Sequence, residues 1–300
     1  SLLNAAPGAI AQGMLWGIMA IGVYITYRIL DVADLTVDGS LATGGAVCIM
    51  LMRSGCNPWI ALLCAFLVGM LAGMVTGLLH TRCGIPAILA GILTQLALYS
   101  VNLRIMGSKS NQPISVDKYN LVVSQRFVKE LSVRNPLIPA VVTLAVLIGI
   151  LYWFFGTEIG AAIRATGYNQ QMIRAQGVNT DVTIILGLLL SNGLVAFSGA
   201  LIAQNNGFAD VGMGTGTIVI GLASVIIGEV LFGTRSFKNW LISVVLGSIV
   251  YRVVVAFVLG CGMNPNDLKL FTAIIVAIAL SMPLLKKKIK SAMASAKEAN

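Results

Sequence analysis

The sequence predicts an all-α polytopic membrane protein, and three observations predict it. Of 300 residues, 57% are hydrophobic and 10% charged, with a mean hydropathy of +0.90, a composition foreign to water-soluble folds. Apolar runs near the roughly 20 residues that a helix needs to cross the hydrocarbon core recur along the chain with almost no charge inside them. The 32 glycines suit close helix packing in lipid, whereas a transmembrane β-barrel would show alternating segments of about 10 residues. The expected architecture is a bundle of about 8–9 transmembrane helices that includes a short, broken second helix, with a further short helix in the cytoplasm.

Apolar runs fall at about 8–30, 40–53, 58–81, 85–106, 135–156, 182–204, 216–233, 238–260 and 268–285. The first, Ile10 to Leu30, is too long and too weakly flanked for a cleaved signal peptide and reads as a retained span. The second is too short for a full crossing. It follows Asp31-Val-Ala-Asp-Leu-Thr-Val-Asp-Gly-Ser40, whose three carboxylates and one glycine would break a helix at membrane depth. Such backbone survives there only if buried in protein or lining a wet cavity. The longest connection, 107–134, carries Val116, Tyr119, Leu121, Val122, Val123, Phe127, Val128 and Leu131. It is too apolar for a disordered strap and is expected to fold against the outer mouth, a short amphipathic helix being one form open to it. No polar linker and no repeat divides the chain, so 1–300 reads as one transmembrane domain.

A formal net charge of +9 could suggest nucleic acid. The Lys and Arg residues, however, lie mainly in connections and in the basic tail 286–300, which begins Lys286-Lys287-Lys288-Ile-Lys290. Anionic headgroups and orientation account for them better. By the positive-inside rule this tail is cytoplasmic. Counting back places 157–181, Arg235 and Lys238 inside and 107–134 outside, against the charges of Lys109, Lys118, Arg126, Lys129 and Arg134. Cys48, Cys56, Cys64, Cys83 and Cys261 include no C-x-x-C pair and read as small hydrophobes. The single histidine, His80, has no catalytic set around it and suits an interfacial place beside Arg82. No metal site is expected. Trp16, Trp59, Trp153 and Trp240 read mostly as interfacial anchors near span ends.

The polar segment 157–181 contains Arg164-Ala165-x-Gly167-x-Asn169, then Met172-Ile173-Arg174, then Gly177-Val178-Asn179. It reads as a short helix over 169–177 between two turns, with Asn169 as N-cap and Gly177 just past the C-terminal end. Two turns of helix have too little apolar surface to persist alone, so a docked element is expected, an ordinary solvated loop being the bland alternative.

Ionisable and amide groups inside the runs are costly in lipid and are candidates for a solute pathway. Asp38, Thr43, Gln95, Asn192 and Glu229 make up that set, beside Asn102, Gln204 and Arg252. For the amides, bridging between helices is the bland alternative. Asp38 is expected to cap Ser40 or Leu41. Glu229 is expected to meet Arg235 or the vestibule rather than the more distant Arg252.

In these motifs the chain resembles the membrane permeases of ABC importers of the branched-chain amino acid and ribose type. Their cytoplasmic loop commonly reads Arg-Ala-x-Gly-x-Asn, with Gly-Ile-Asn eight residues after that Asn. Here Arg164, Ala165, Gly167, Asn169, Gly177 and Asn179 stand at that spacing, while Ile173 replaces a usual small residue. The resemblance extends to Leu35-x-x-Asp38-Gly39-Ser40-x-x-x-Gly44-Gly45, to Gly84-Ile-Pro86-Ala-Ile-Leu-Ala-Gly91, and to Gly221-Leu-Ala-Ser-Val-Ile-Ile-Gly228-Glu229, which matches a helix close to the family's dimer axis. The wording of the first and of the 164–179 motif looks most like the tryptophan and tyrosine importers.

The resemblance implies a multi-pass permease subunit of an ABC importer in the bacterial cytoplasmic membrane, with its C-terminus cytoplasmic. The implied solute is a hydrophobic, aromatic or branched-chain amino acid, with a sugar or nucleoside as the alternative. Implied partners are a dimer of cytoplasmic ATP-binding subunits, a second permease copy, an extracytoplasmic substrate-binding protein and the bilayer, with no nucleic acid. ATP and Mg would sit on the partner and no cofactor on this chain, which is then no enzyme. The sequence agrees in having no G-x-x-x-x-G-K-[ST] loop, its Gly207–Gly216 stretch lacking the Lys-Ser/Thr. A reading of another class, an ion-coupled carrier or channel without ATPase subunits, would favour paired discontinuous helices, and only one is evident.

Overall fold

The computed structural model describes residues 2–129 and 135–298. Leu131 and Arg134 of the long connection lie outside the described residues, as do positions 299–300 of the basic tail. Each apolar run becomes a helix. They are α1 (Leu2–Tyr24, prolonged by a π-helical turn Ile25–Ile29), α2 (Val37–Arg53), α3 (Pro58–Thr81), α4 (Ala87–Ile105) and α5 (Leu137–Phe155). Two short helices follow, α6 (Glu158–Tyr168) and α7 (Gln170–Ala175), and then α8 (Thr180–Asn206), α9 (Thr217–Phe232), α10 (Phe237–Gly260) and α11 (Leu268–Glu298). Seven of these are long and apolar enough to cross a membrane: α1, α3, α4, α5, α8, α10 and α11. The shorter α2 and α9, of 17 and 16 residues, lie inside the bundle.

Glycine decides how closely these helices approach. Gly69, Gly73 and Gly77 repeat every fourth residue on α3, so they share one face, and a Cβ on any of them would press into α8 at Asn192, Leu188 or Ile185. The α2–α8 contact is reciprocal, Gly44 lying on the Ala196 carbonyl and Gly199 on that of Leu41. Backbones that touch in this way gain dispersion and interhelical hydrogen bonds, the forces available where lipid removes the hydrophobic drive between helices. On α9 and α10, Gly228 and Gly247 do the same, and Gly221 seats against Val23 of α1. The Gly221–Gly228 stretch thus packs within its own chain. In α1 and α8, 72% of the apolar window is buried, against 17% in α5 and 11% in α11.

The chain has two poles. At one, strand β1 (Asn111–Pro113) pairs antiparallel with β2 (Phe208–Asp210), with Gln112 opposite Ala209. Arg53 reaches Gln112 there, and the Val122 amide donates to Gln204 Oε1 at 3.0 Å. The long connection therefore does fold against the bundle, as expected. It does so through this strand and a 3-10 turn, Gln125–Phe127, and no amphipathic helix forms among its described residues. At the other pole lie α6, α7, the π turn of α1 and the α9–α10 turn.

Candidate coupling segment and intramembrane polar site

The polar segment 157–181 holds two helices where the sequence suggested one. Thr157 caps α6, its hydroxyl accepting from the Gly160 amide at 3.3 Å. Asn169 then breaks the run with an extended backbone, φ −159°, and caps α7 by accepting from the Met172 amide at 3.0 Å. At the far end Gly177 sits at φ +86°, its amide donating to Arg174 O at 3.0 Å while Val178 donates to Ile173 O at 3.2 Å. Those two bonds form the Schellman closure expected of a glycine just past a helix end. Asn179 caps α8 through the Asp181 amide at 3.0 Å.

Gly167, Thr166 and Ile173 seat the pair against the bundle, while Arg164, Asn169, Met172, Arg174, Gly177 and Asn179 are exposed. A Cβ on Gly167 would overlap the carbonyl oxygen of Ile29, so only glycine lets α6 lie on the π turn of α1. The hydroxyls of Thr166 and Thr183 lie 2.8 Å apart and join α6 to α8. Arg174 donates through Nε to Thr180 Oγ1 at 2.6 Å and lies 3.8 Å from Asp181. Arg164 lies over the Phe237 ring, 5.6 Å from its centroid, and Ala165 is half-buried. Ile173, the one departure from the family's wording, is buried at 5% exposure. What the pair presents outward is Tyr168, 93% exposed, together with Met172 and Ile159.

Beside this pair a cleft of about 360 Å³ runs between α6 and the α9–α10 turn, lined by Tyr24, Arg28, Arg164, Tyr168, Arg235 and Trp240. Glu229 meets neither Arg235 nor an open vestibule. Arg28 donates to both its oxygens, at 2.8 and 2.7 Å, and Trp240 Nε1 donates to Oε1 at 3.0 Å. Sequence reasoning passed over Arg28 because it lies 201 positions away.

A second polar centre sits at the break before α2. Asp34 is 2% exposed, accepting from the Thr36 amide at 2.9 Å and from Asn192 Nδ2 at 2.7 Å. Asn192 also donates to Leu188 O and accepts from Ser40 Oγ at 2.7 Å. Thr36, Thr76 and Thr94 form a hydroxyl chain with spacings of 2.6 and 2.9 Å, tying the break to α3 and α4. Thr43 reaches Asn102 Oδ1 at 2.7 Å, and Gln95 lies half-buried where α4 crosses Gly39. Asp38 does not cap its own helix. It reaches across to the start of α9, accepting from Gly216 N at 3.1 Å and Ile218 N at 2.9 Å, where Gly216 has no side chain to cap with. Asn192 and Asn102 thus bridge helices, and Asp34, one of the three carboxylates of the 31–40 stretch, proves the central one.

Trp16 lies in the middle of α1 rather than at a span end, with the Arg252 guanidinium 4.0 Å above its ring. Trp59 and Trp153 are exposed near helix ends, and His80 Nδ1 lies 2.8 Å from Ile85 O.

Long apolar helices around a buried polar break, with a capped helical pair seated across two of them at one pole, define a multi-pass membrane protein of the transport class. The chain belongs to the family described as branched-chain amino acid transport system / permease component, whose model matches residues 7–281, the permeases of ABC transporters. It is 41% identical over 288 residues to a tyrosine transport system permease protein of Clostridioides difficile, covering 96% of this chain and 94% of that one. It is 32% identical to an uncharacterized protein of Rickettsia prowazekii, over 93% of this chain and 98% of that one. Its fold resembles that of a chain in PsaBC from Streptococcus pneumoniae in complex with Fab, with a TM-score of 0.52 at 16% identity, covering 92% of this chain and 90% of that one.

Proposed function

We propose that this permease forms the solute pathway of an ATP-driven importer for an aromatic or other hydrophobic amino acid. ATP hydrolysis belongs to a pair of separate cytoplasmic subunits that bind α6 and α7, and an extracytoplasmic binding protein delivers the solute to a permease paired with a second copy. The observation that carries this reading is the two-sidedness of the 157–181 segment. Gly167, Thr166, Ile163 and Ile173 fix it to the spans, while Tyr168 and Met172 stand free at the pole where α11 brings Lys286–Lys290. That basic cluster argues for a cytoplasmic pole and C-terminus. The 41% identity to a tyrosine transport permease supports the solute class.

In this reading nucleotide-driven closure of the ATPase pair moves α6, and α6 moves α1 through Ile29 and α8 through Thr183. Solute and nucleotide must then bind two global states unequally, because a ligand indifferent to the state shifts nothing. Asp38, Thr43, Gln95, Asn192 and Glu229 act here by fixing the helices that surround the pathway. The test is reconstitution of the permease with its ATPase and binding protein in liposomes, with ATP hydrolysis measured against amino acids, sugars and nucleosides. Stimulation by Tyr, Trp or branched-chain amino acids is expected. Stimulation by a sugar alone overturns the solute class, and solute movement down an ion gradient without any ATPase overturns the mechanism.

A further inference from the structure

Away from the coupling pole, α1 and α10 enclose a cleft of about 610 Å³ that no role above uses, within the roughly 300–1,000 Å³ of small-molecule sites. Its polar lining is Asn4, Gln12, Gln125, Arg126, Lys129 and Arg252, with no carboxylate among the described residues. Gln12 and Trp16 stand four apart on one face of α1, turned toward Arg252. The Nε of Arg252 is buried without a hydrogen-bond partner, and among the described residues no carboxylate lies within ion-pair distance of the guanidinium. Its neighbours are two rings, Trp16 at 4.0 Å and Tyr251 at 5.9 Å. Arg126 is already paired with Asp117 at 2.6 Å.

A guanidinium at membrane depth is costly, and ring quadrupoles offset only part of that cost. Its planar fork of donors matches a carboxylate or a phosphate. We propose that this cleft is a binding site for the carboxylate of the solute, with the guanidinium of Arg252 as its anchor and Gln12 as a second donor. The chemistry recognised is that of a monocarboxylate with an apolar body, since Ala9, Val255, Ala256 and Leu259 supply the rest of the wall. This inference rests on the amino-acid reading above.

The test is equilibrium dialysis of labelled L-phenylalanine against the purified permease in phosphatidylcholine nanodiscs, without ATPase or binding protein. Unlabelled 3-phenylpropionate, which keeps the carboxylate, should compete, and 2-phenylethylamine, which lacks it, should not. Arg252→Gln should weaken binding at least tenfold, Arg252→Lys less, and Gln12→Leu a few-fold, each in protein that stays monodisperse with an unchanged melting temperature. Gln12→Leu removes no charge, so it keeps the inference open to test if Arg252→Gln fails to fold. Wild-type binding by both Arg252→Gln and Gln12→Leu, or competition by 2-phenylethylamine equal to that of 3-phenylpropionate, overturns the site. Loss of phenylalanine binding on adding phosphatidylglycerol to the discs assigns the cleft to a lipid phosphate, and competition by inorganic phosphate without competition by 3-phenylpropionate assigns it to a free phosphate; either overturns the site. Amino-acid-stimulated ATPase activity alongside wild-type binding by the variants overturns only this inference. Sugar-stimulated activity overturns the function reading itself.

Discussion

Arg28 and Glu229, 201 positions apart, form a two-bond ion pair at 2.8 and 2.7 Å that joins the π turn of α1 to the last turn of α9. Trp240 holds the same carboxylate from α10. The pair is 37% and 15% exposed, so solvent screens Arg28 but little of Glu229. Removing either partner should cost about 1–3 kcal/mol, because charge-assisted hydrogen bonds are lost and the other charge stays behind. Arg28→Ala and Glu229→Gln should each lower the melting temperature in detergent, and a double-mutant cycle should show a coupling energy above about 0.5 kcal/mol. Strict additivity of the two changes would show that the pair does not bind α1 to α9.

At Gly167 the expected failure is steric. Gly167→Val places two methyl groups against the Ile29 carbonyl, and overpacking of this kind costs typically about 1–3 kcal/mol. Uptake should be lost, with α6 becoming accessible to protease. Intact protease resistance in the variant would remove α6 from the packed pole.

Tyr168 and Met172 behave oppositely because they touch little of their own chain. Tyr168→Glu or Met172→Asp should leave the melting temperature within a degree or two of the parent, since surface changes usually stay within about 0.5 kcal/mol. Co-purification of the ATPase should fall sharply. If complex yield and uptake hold at the parental level, α7 is not the docking element. A charge at Ile173, which is buried, should unfold the segment instead and cannot serve as this probe.

Gly177→Val forces a β-branched residue to φ +86°, a conformation costing roughly 1–2 kcal/mol for an L-residue. α7 should fray at its C-terminal end and coupling should weaken, with a smaller loss for Gly177→Asn. Equal activity of the Val and Asn variants would argue against the left-handed turn.

Asn192→Leu removes the donor to Asp34 Oδ2 inside the bundle, while Oδ1 keeps the Thr36 amide. Interhelical hydrogen bonds in membranes average about 0.6 kcal/mol, but a buried carboxylate oxygen that loses its partner costs more, on the order of 1–3 kcal/mol. The single variant should therefore be less stable than the pair Asp34→Leu/Asn192→Leu, as thermal melts can show. A double variant less stable than the single one would contradict this account of the polar centre.

The sequence by itself determined that this is a helical membrane protein, roughly where its long apolar helices lie, and that Asn169 and Gly177 bound a short helix between two of them. Those are local properties: apolar length sets a span, and a cap or a left-handed glycine needs only its own few neighbours. The Arg-Ala-x-Gly-x-Asn spacing carried the family for the same reason. Tertiary structure alone decided what Asp38, Glu229 and Gly167 do, because their partners, Ile218, Arg28 and Ile29, lie far along the chain and no periodicity points to them. It also turned Ile173 inward and left Tyr168 exposed, since the face a short helix buries is set by what it lands on. In lipid every span is apolar all round, so the pattern that assigns buried faces in a water-soluble protein is missing. Close approach of glycines and pairing of the few polar groups choose the neighbours instead.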